Sequence, residues 1–168
     1  MKKNNLIIHI LTVFMITVFI AACQPESTKN YIPRKSGDVA SVTGTWKGTS
    51  VVQRDNDAER KNFPYKTQDI TAALDFTKVT LTLTSSSNLP GTFTINYGGA
   101  PAYFKISSGQ WKADNISKIG KIQLFNGNDT INLVMGSYLL LDQNKLQVKQ
   151  AKSLLGKEAV TYEFNFSK

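Results

Sequence analysis

Four stretches of this chain alternate side-chain character with a period of two, and that alternation limits the fold more than any other feature. Val79, Leu81 and Leu83 are interleaved with Thr80, Thr82 and Thr84. Phe93, Ile95 and Tyr97 are interleaved with Thr94 and Asn96. Ile131, Leu133 and Met135 alternate with Asn132 and Val134, and Val160, Tyr162, Phe164 and Phe166 with Thr161, Glu163 and Asn165. Successive strand residues point to opposite faces, so such a pattern buries one face and wets the other, as antiparallel sheets do. Threonine suits the wet face, because its β-branch favours the strand while its hydroxyl is soluble. Further strands are expected at 45–53, 103–107, 110–113, 121–125, 138–141 and 146–150.

Turn chemistry separates these runs. Asn88-Leu89-Pro90-Gly91, Gly98-Gly99-Ala100-Pro101, Asn126-Gly127-Asn128 and Asp142-Gln143-Asn144-Lys145 each lie between apolar segments. Asn and Gly supply the positive φ angles that tight hairpins need. Short strands joined in this way form a meander that closes into a barrel or packs as a sandwich. The expected fold is therefore all-β, an antiparallel up-and-down barrel of about eight strands, with a β-sandwich as the alternative. The stretch 55–71 is charged and long for a hairpin link, and reads as a lid-like loop with a short helix near 70–73. A weaker helical reading exists for 149–155.

The N-terminus carries a different signal. Lys2 and Lys3 precede a nearly continuous apolar stretch from Leu6 to Ile20, followed by Ala21, Ala22 and the single cysteine, Cys23. A basic n-region, an apolar core and small residues before a cysteine form a leader whose cleavage leaves Cys23 to be acylated. Two readings compete with it: an uncleaved anchor and an ordinary signal peptide. The stretch from Leu6 to Ala22, 17 residues, is at the short end of the roughly 20 that span a bilayer. The organisation expected is a signal peptide at 1–22, a lipidated Cys23 with a flexible tether to residue 40, and a β domain at 41–168. The chain is then held in the membrane of the cell envelope by acyl chains. Gln24 after the cysteine, in place of aspartate, points to the outer membrane.

Processing at Cys23 also removes chemistry. His9, the only histidine, leaves with the leader, and Cys23 becomes a thioether. A mature chain with no imidazole and no free thiol cannot run Ser-His-Asp or Cys-His catalysis, nor build histidine or thiolate metal sites. No nucleophile-elbow or P-loop motif occurs. Neither an enzyme nor a cofactor is expected. Asp55-Asn56-Asp57-Ala58-Glu59 opens like a calcium loop, but Arg60 and Lys66 occupy the positions where glycine and glutamate belong. Net charge is +8, about +6 without Lys2 and Lys3, yet the lysines are scattered and no nucleic-acid partner is implied. Asp129-Thr130-Ile131 resembles the acceptor of a periplasmic O-glycosylation system.

Gly44-Thr45-Trp46 opens the first predicted strand, and a Gly-x-Trp there is the lipocalin hallmark. Phe63-Pro64-Tyr65-Lys66-Thr67-Gln68-Asp69-Ile70-Thr71-Ala72, Gly91-Thr92-Phe93-Thr94-Ile95 and Gly109-Gln110-Trp111 follow in order. Over most of 41–168 the chain resembles a lipocalin-like family of bacterial lipoproteins of unassigned function. The resemblance implies a calycin-like barrel plugged at one end by Trp46, and no established activity. The last predicted strand carries no arginine to cover that tryptophan.

Barrels of this size either fill their interior or hold one small ligand. Tyr97, Tyr103, Trp111 and Tyr138 are the candidate ligand contacts, each joining an apolar body to a polar handle. The expected function is non-catalytic binding of a small hydrophobic or amphipathic ligand. The rival is a structural or interaction module with a filled core that meets another envelope protein or a glycan.

Overall fold

The computed structural model describes residues 37–168. The leader, Cys23 and the chain to residue 36 lie outside the described residues. Nine strands follow a short helix: α1 (Val39–Val42), β1 (Gly44–Asp55), α2 (Asn56–Arg60), β2 (Thr67–Asp69), a 3₁₀ turn (Phe76–Lys78), β3 (Thr80–Ser86), β4 (Leu89–Asn96), β5 (Ser108–Ala113), β6 (Lys121–Asn126), β7 (Asp129–Met135), α3 (Leu139–Asp142), β8 (Lys145–Leu154) and β9 (Lys157–Ser167). From β3 onward each strand pairs antiparallel with the next, and β1 pairs with both β3 and β9. Those pairings close an eight-stranded up-and-down barrel, with β2 added beside the far half of β1. The barrel expected from the alternation is therefore the observed fold, and the sandwich is not. Among the described residues no helix is long and apolar enough to cross a membrane.

Parity along the strands explains the core. Leu81, Leu83, Phe93, Ile95, Ile131, Leu133, Phe164 and Phe166 are buried, while Thr82, Thr92, Thr94 and Asn132 face outward and form cross-strand pairs such as Thr84 with Thr92 at 2.9 Å. Hairpin links follow from backbone sign. Ser87 and Asn88 both have positive φ between paired Ser86 and Leu89, as a type I′ turn requires. That turn lies two residues earlier than the Leu89-Pro90-Gly91 cluster suggests, and those three residues belong to β4.

Four local expectations are corrected. Residues 103–107 form no strand; the long 97–107 connection folds inward and brings Tyr103 and Phe104 against the core. Residues 138–141 lie at a helical turn, α3, which buries Leu141 and exposes Leu139; three leucines, none branched at Cβ, have no strong preference for a strand. Residues 149–155 are not helical, because β8 keeps pairing with β9, through a register shift at Lys152–Ser153, to Leu154↔Lys157. The helix expected near 70–73 is a series of turns, with Leu74 N–H donating to Ile70 O, and the neighbouring short helices lie at Asn56–Arg60 and Phe76–Lys78. Residues 37–40 also belong to the folded unit, since Val39 is buried in the core and Asp38 caps α1 by accepting from Ser41 N–H.

The two ends of the barrel differ. At the closed end, α1 lies over Trp46, whose Nε1 donates to Val42 O at 2.7 Å. Lys168 stretches back across it, with Nζ 4.2 Å from the indole centroid and donating to Thr43 O at 2.6 Å. Lys168 thus covers the tryptophan that the last strand leaves without an arginine. Gly44 has a φ of 127°, and a Cβ there would lie 2.9 Å from Lys168 Cε, so the glycine of Gly-x-Trp makes room for this cover. Further along β1, a Cβ at Gly48 would lie 2.3 Å from Phe76 O. Only glycine lets the 3₁₀ turn carry Phe76 into the barrel.

The closed end is also fastened by Asp114. Its Oδ1 accepts from the N–H groups of Asn115, Gly120 and Lys121, each at 2.9 Å, which holds the β5–β6 connection. These backbone donors, the Lys121 N–H foremost, lower the Asp114 pKa below its usual 3.8. A carboxylate with a lowered folded pKa adds stability above its unfolded pKa and loses it as pH falls through the folded one. The stability difference between wild type and Asp114→Asn should therefore be constant at neutral pH and shrink between about pH 4 and pH 2. Thermal melts across that range check it, and a difference independent of pH would contradict the clamp.

Candidate functional site

The open end is built by the inward parity of β1, β8 and β9 running past the core. Inward Val51, Val148 and Phe166 are buried, and the next inward positions toward the rim are Gln53, Gln150, Lys152 and Tyr162, with Phe164 beneath them. The turns of 70–74 lay Ile70, Ala73 and Leu74 across this rim, and the 97–107 connection adds Tyr103. Together these residues enclose a cleft of about 340 Å³. Its walls are apolar, with two amides and one ammonium at the edge, the composition of a small-molecule site.

Below the cleft the barrel is solid. Phe76 and Phe166 meet edge-on at 5.1 Å, Phe104 and Phe164 are tilted at 5.2 Å, and Tyr103 stacks on Phe164 at 5.9 Å with 12° between the rings. The void left among Leu81, Ile95, Leu124 and Leu133 is about 10 Å³, room for at most one water. A ligand thus has the mouth of the barrel available and not a deep interior.

Tyr103 stands between mouth and core. Its ring meets Tyr97 edge-on at 5.2 Å, and its Oη is buried with no hydrogen-bond partner. Burial, with a smaller contribution from Tyr97, raises its pKa, so the hydroxyl stays protonated and remains a donor. An orphaned hydroxyl costs the apo protein stability and is relieved by any acceptor that enters. The Tyr97 hydroxyl, by contrast, accepts from Phe104 N–H at 3.3 Å.

Of the four candidate contacts, the structure brings Tyr97 and Tyr103 together at the open end and places the other two elsewhere. Trp111 is buried in β5, and its Nε1 donates to Thr84 O at 2.7 Å. Tyr138 lies at the closed end, its ring against Gly37 and its Oη donating to Ile119 O at 2.7 Å. Gln53, Gln150 and Lys152 were not singled out in the sequence, although parity carries a signal for them. Polar residues that continue the inward series after Val51 and Val148 mark where a barrel stops being core and becomes mouth.

A larger groove of about 720 Å³ lies on the outer wall beside α2. Its three basic side chains are paired: Arg54 with Glu59 at 2.9 Å inside the groove, and Lys149 and Arg60 with Glu163 and Asp57 beside it. Among the described residues the buried side-chain donor without a partner belongs to Tyr103, which lines the mouth and not this groove. The acidic run at 55–59 is likewise divided, with Asp55 capping α2, Asp57 bound to Arg60 and Glu59 to Arg54. Among the described residues no group of three acidic, histidine or cysteine side chains is placed to hold a metal ion. The chain matches no model of a known protein family. No curated protein is significantly similar to it in sequence.

Proposed function

We propose that this chain is a lipid-anchored protein of the cell envelope, lipocalin-like in kinship, whose barrel binds a small amphipathic ligand at its open mouth without catalysis. The observation that carries the reading is the apolar cleft walled by Tyr103, Tyr162 and Phe164, together with the buried, unpartnered hydroxyl of that same Tyr103. A ligand with an apolar body fits the aromatic floor, and an acceptor on it completes the tyrosine. The anchor rests on the Ile20-Ala21-Ala22-Cys23 pattern. With acyl chains on Cys23 the attachment is stable, because each buried methylene contributes about 0.8 kcal/mol.

Both tryptophans are buried away from the mouth, so their emission reports poorly on this cleft. Calorimetric titration with fatty acids, retinoids and haem is the direct test, run on wild type and Tyr103→Phe. Removing the hydroxyl should leave the apo protein as stable or slightly more so, because an unsatisfied buried group disappears. Affinity for a ligand bonded to Tyr103 should fall about tenfold, the effect of one hydrogen bond of roughly 1.4 kcal/mol. Equal affinity in the two proteins would remove Tyr103 from the site, and no heat with any compound would remove the site. Palmitate labelling that persists in Cys23→Ser would remove the anchor.

One observation favours the rival reading of an interaction module. The interior is filled, and apolar side chains stand exposed at the rim, Phe63 and Tyr65 among them. Another envelope protein or a glycan is the partner that reading expects.

A further inference from the structure

The rim carries an anomaly that ligand binding does not use. β8 and β9 are joined by Leu155-Gly156, with φ angles of 51° and 78°, between paired Leu154 and Lys157. These are the central positions of a type I′ turn, where Asn-Gly is strongly preferred and a leucine is strained. The Leu155 side chain is 96% exposed and that of Leu154 68% exposed. Neither turn geometry nor solubility accounts for two leucines there, and a local rule broken without structural gain points to function.

The turn also stands clear of the barrel. β8 pairs with β7 only at Val134↔Lys149 and Met135↔Val148, and β9 pairs with β1 only as far as Asp55↔Val160. Residues 153–158 therefore form a two-stranded ribbon that extends past the pairing with β1 and β7. A second projection lies next to it: the loop after α2, with Phe63 53% and Tyr65 93% exposed. Asn56 Nδ2 and Arg60 Nη1 both donate to Glu158 O at 3.4 Å, which ties α2, the helix that precedes this loop, to the ribbon. Lys61, Lys66, Lys152 and Lys157 are interleaved with these apolar tips, and among the described residues none has a carboxylate within 4 Å. The nearby Asp57 and Glu59 are paired with arginines, which leaves Glu158 as the ribbon's own carboxylate against these four lysines.

We propose that the two tips dock on an anionic lipid surface, with Leu154, Leu155, Phe63 and Tyr65 entering the boundary between headgroups and acyl chains and the lysines meeting headgroup phosphates. Apolar points ringed by lysine have the make-up of an interfacial membrane anchor. A protein partner fits less well, since protein interfaces are depleted of lysine and need a complementary patch of about 800 Å² on each side. Two convex tips offer no such patch, whereas a bilayer deforms around them. The described chain begins at Gly37, at the opposite, closed end. The fourteen residues from Cys23 to Gly37 reach about 48 Å when extended. β1 is only roughly 40 Å long, so an anchor at Cys23 leaves the tips able to touch the same leaflet. The inference stands without that anchor.

The test uses the full chain reconstituted into vesicles of phosphatidylcholine, alone or mixed with phosphatidylglycerol, with and without brominated acyl chains. Leu155→Trp supplies the reporter, and the wild-type signal from buried Trp46 and Trp111 is subtracted. The emission should be blue-shifted and bromine-quenched on the anionic vesicles only. Lys152→Gln and Lys157→Gln should each weaken tip insertion about fivefold at low salt. In a separate pair, a Tyr65→Trp reporter should be quenched when Leu155 is present and lose that quenching with Leu155→Asn, a change that also raises the thermal midpoint. Unquenched reporters at both positions overturn the proposal, as does equal quenching on neutral vesicles. A blue shift without quenching also overturns it, because the tips would then be buried against protein, a second copy included.

Discussion

Replacing Trp46 by alanine should lower the unfolding free energy of the barrel by about 3–5 kcal/mol. Against a total of about 5–15 kcal/mol for a domain, that is a large fraction. The reason is cumulative. Trp46 is 0% exposed, so the substitution leaves a cavity of most of an indole at the closed end. It also orphans Val42 O, which loses its 2.7 Å donor, and removes the ring beneath the Lys168 ammonium. A melt should show a midpoint lower by about 10–20 °C. Trp46→Phe separates the contributions, because it keeps much of the volume and loses the Nε1 bond, for a cost of about 1–2 kcal/mol beyond packing. Lys168→Gln should cost less, about 0.5–2 kcal/mol, since the cation–π contact is partly wet. A loss below about 1.5 kcal/mol for Trp46→Ala would mean that the closed end collapses freely and that the tryptophan is no plug.

The contrast between the walls and ends of this barrel shows what a period-two pattern can tell. Along β3, β4, β7 and β9 each side chain repeats the same choice between core and water, so Leu81, Phe93, Leu133 and Phe164 are legible from spacing alone. Trp111 obeys the same parity in the strand expected at 110–113, with Gln110 and Lys112 exposed on either side, and its indole serves the core and the Thr84 carbonyl. The ends carry no period. Tyr103 reaches the mouth only because the 97–107 connection folds back, and Lys168 reaches Trp46 only because β1 and β9 are neighbours in the closed sheet. Each of those contacts joins residues far apart in the chain, so no window of local sequence contains it. Tyr138 and its three leucines were ambiguous for a related reason, since a short apolar run is compatible with a strand or a buried turn until its neighbours are known. The type I′ turn at Leu155-Gly156 was hidden by its own anomaly, a leucine where turn chemistry predicts asparagine.

Phe164→Ala should be comparably destabilising, and it should also change what the barrel can hold. Phe164 forms part of both the mouth cleft and the small void beneath it, and its ring contacts Phe76, Tyr103, Phe104 and Tyr162. Removing it should cost about 3–5 kcal/mol, because a packed aromatic cluster closes incompletely over a lost ring. The space left is lined by apolar groups, so it should stay dry and accept a small aromatic such as benzene, as apolar cavities of about 150 Å³ do. Wild type, with about 10 Å³ inside, has no room for one. Benzene should therefore raise the midpoint of the variant and leave that of wild type unchanged, by about 2.7 kcal/mol of added stability at 100 times the dissociation constant. Because the new space is continuous with the 340 Å³ cleft, a ligand with an apolar tail that binds wild type at the mouth should bind the variant more tightly once the loss of folding stability is accounted for. A variant that melts early but gains no benzene response would show that Tyr103 and Phe104 fall into the space, and that mouth and core are separate compartments.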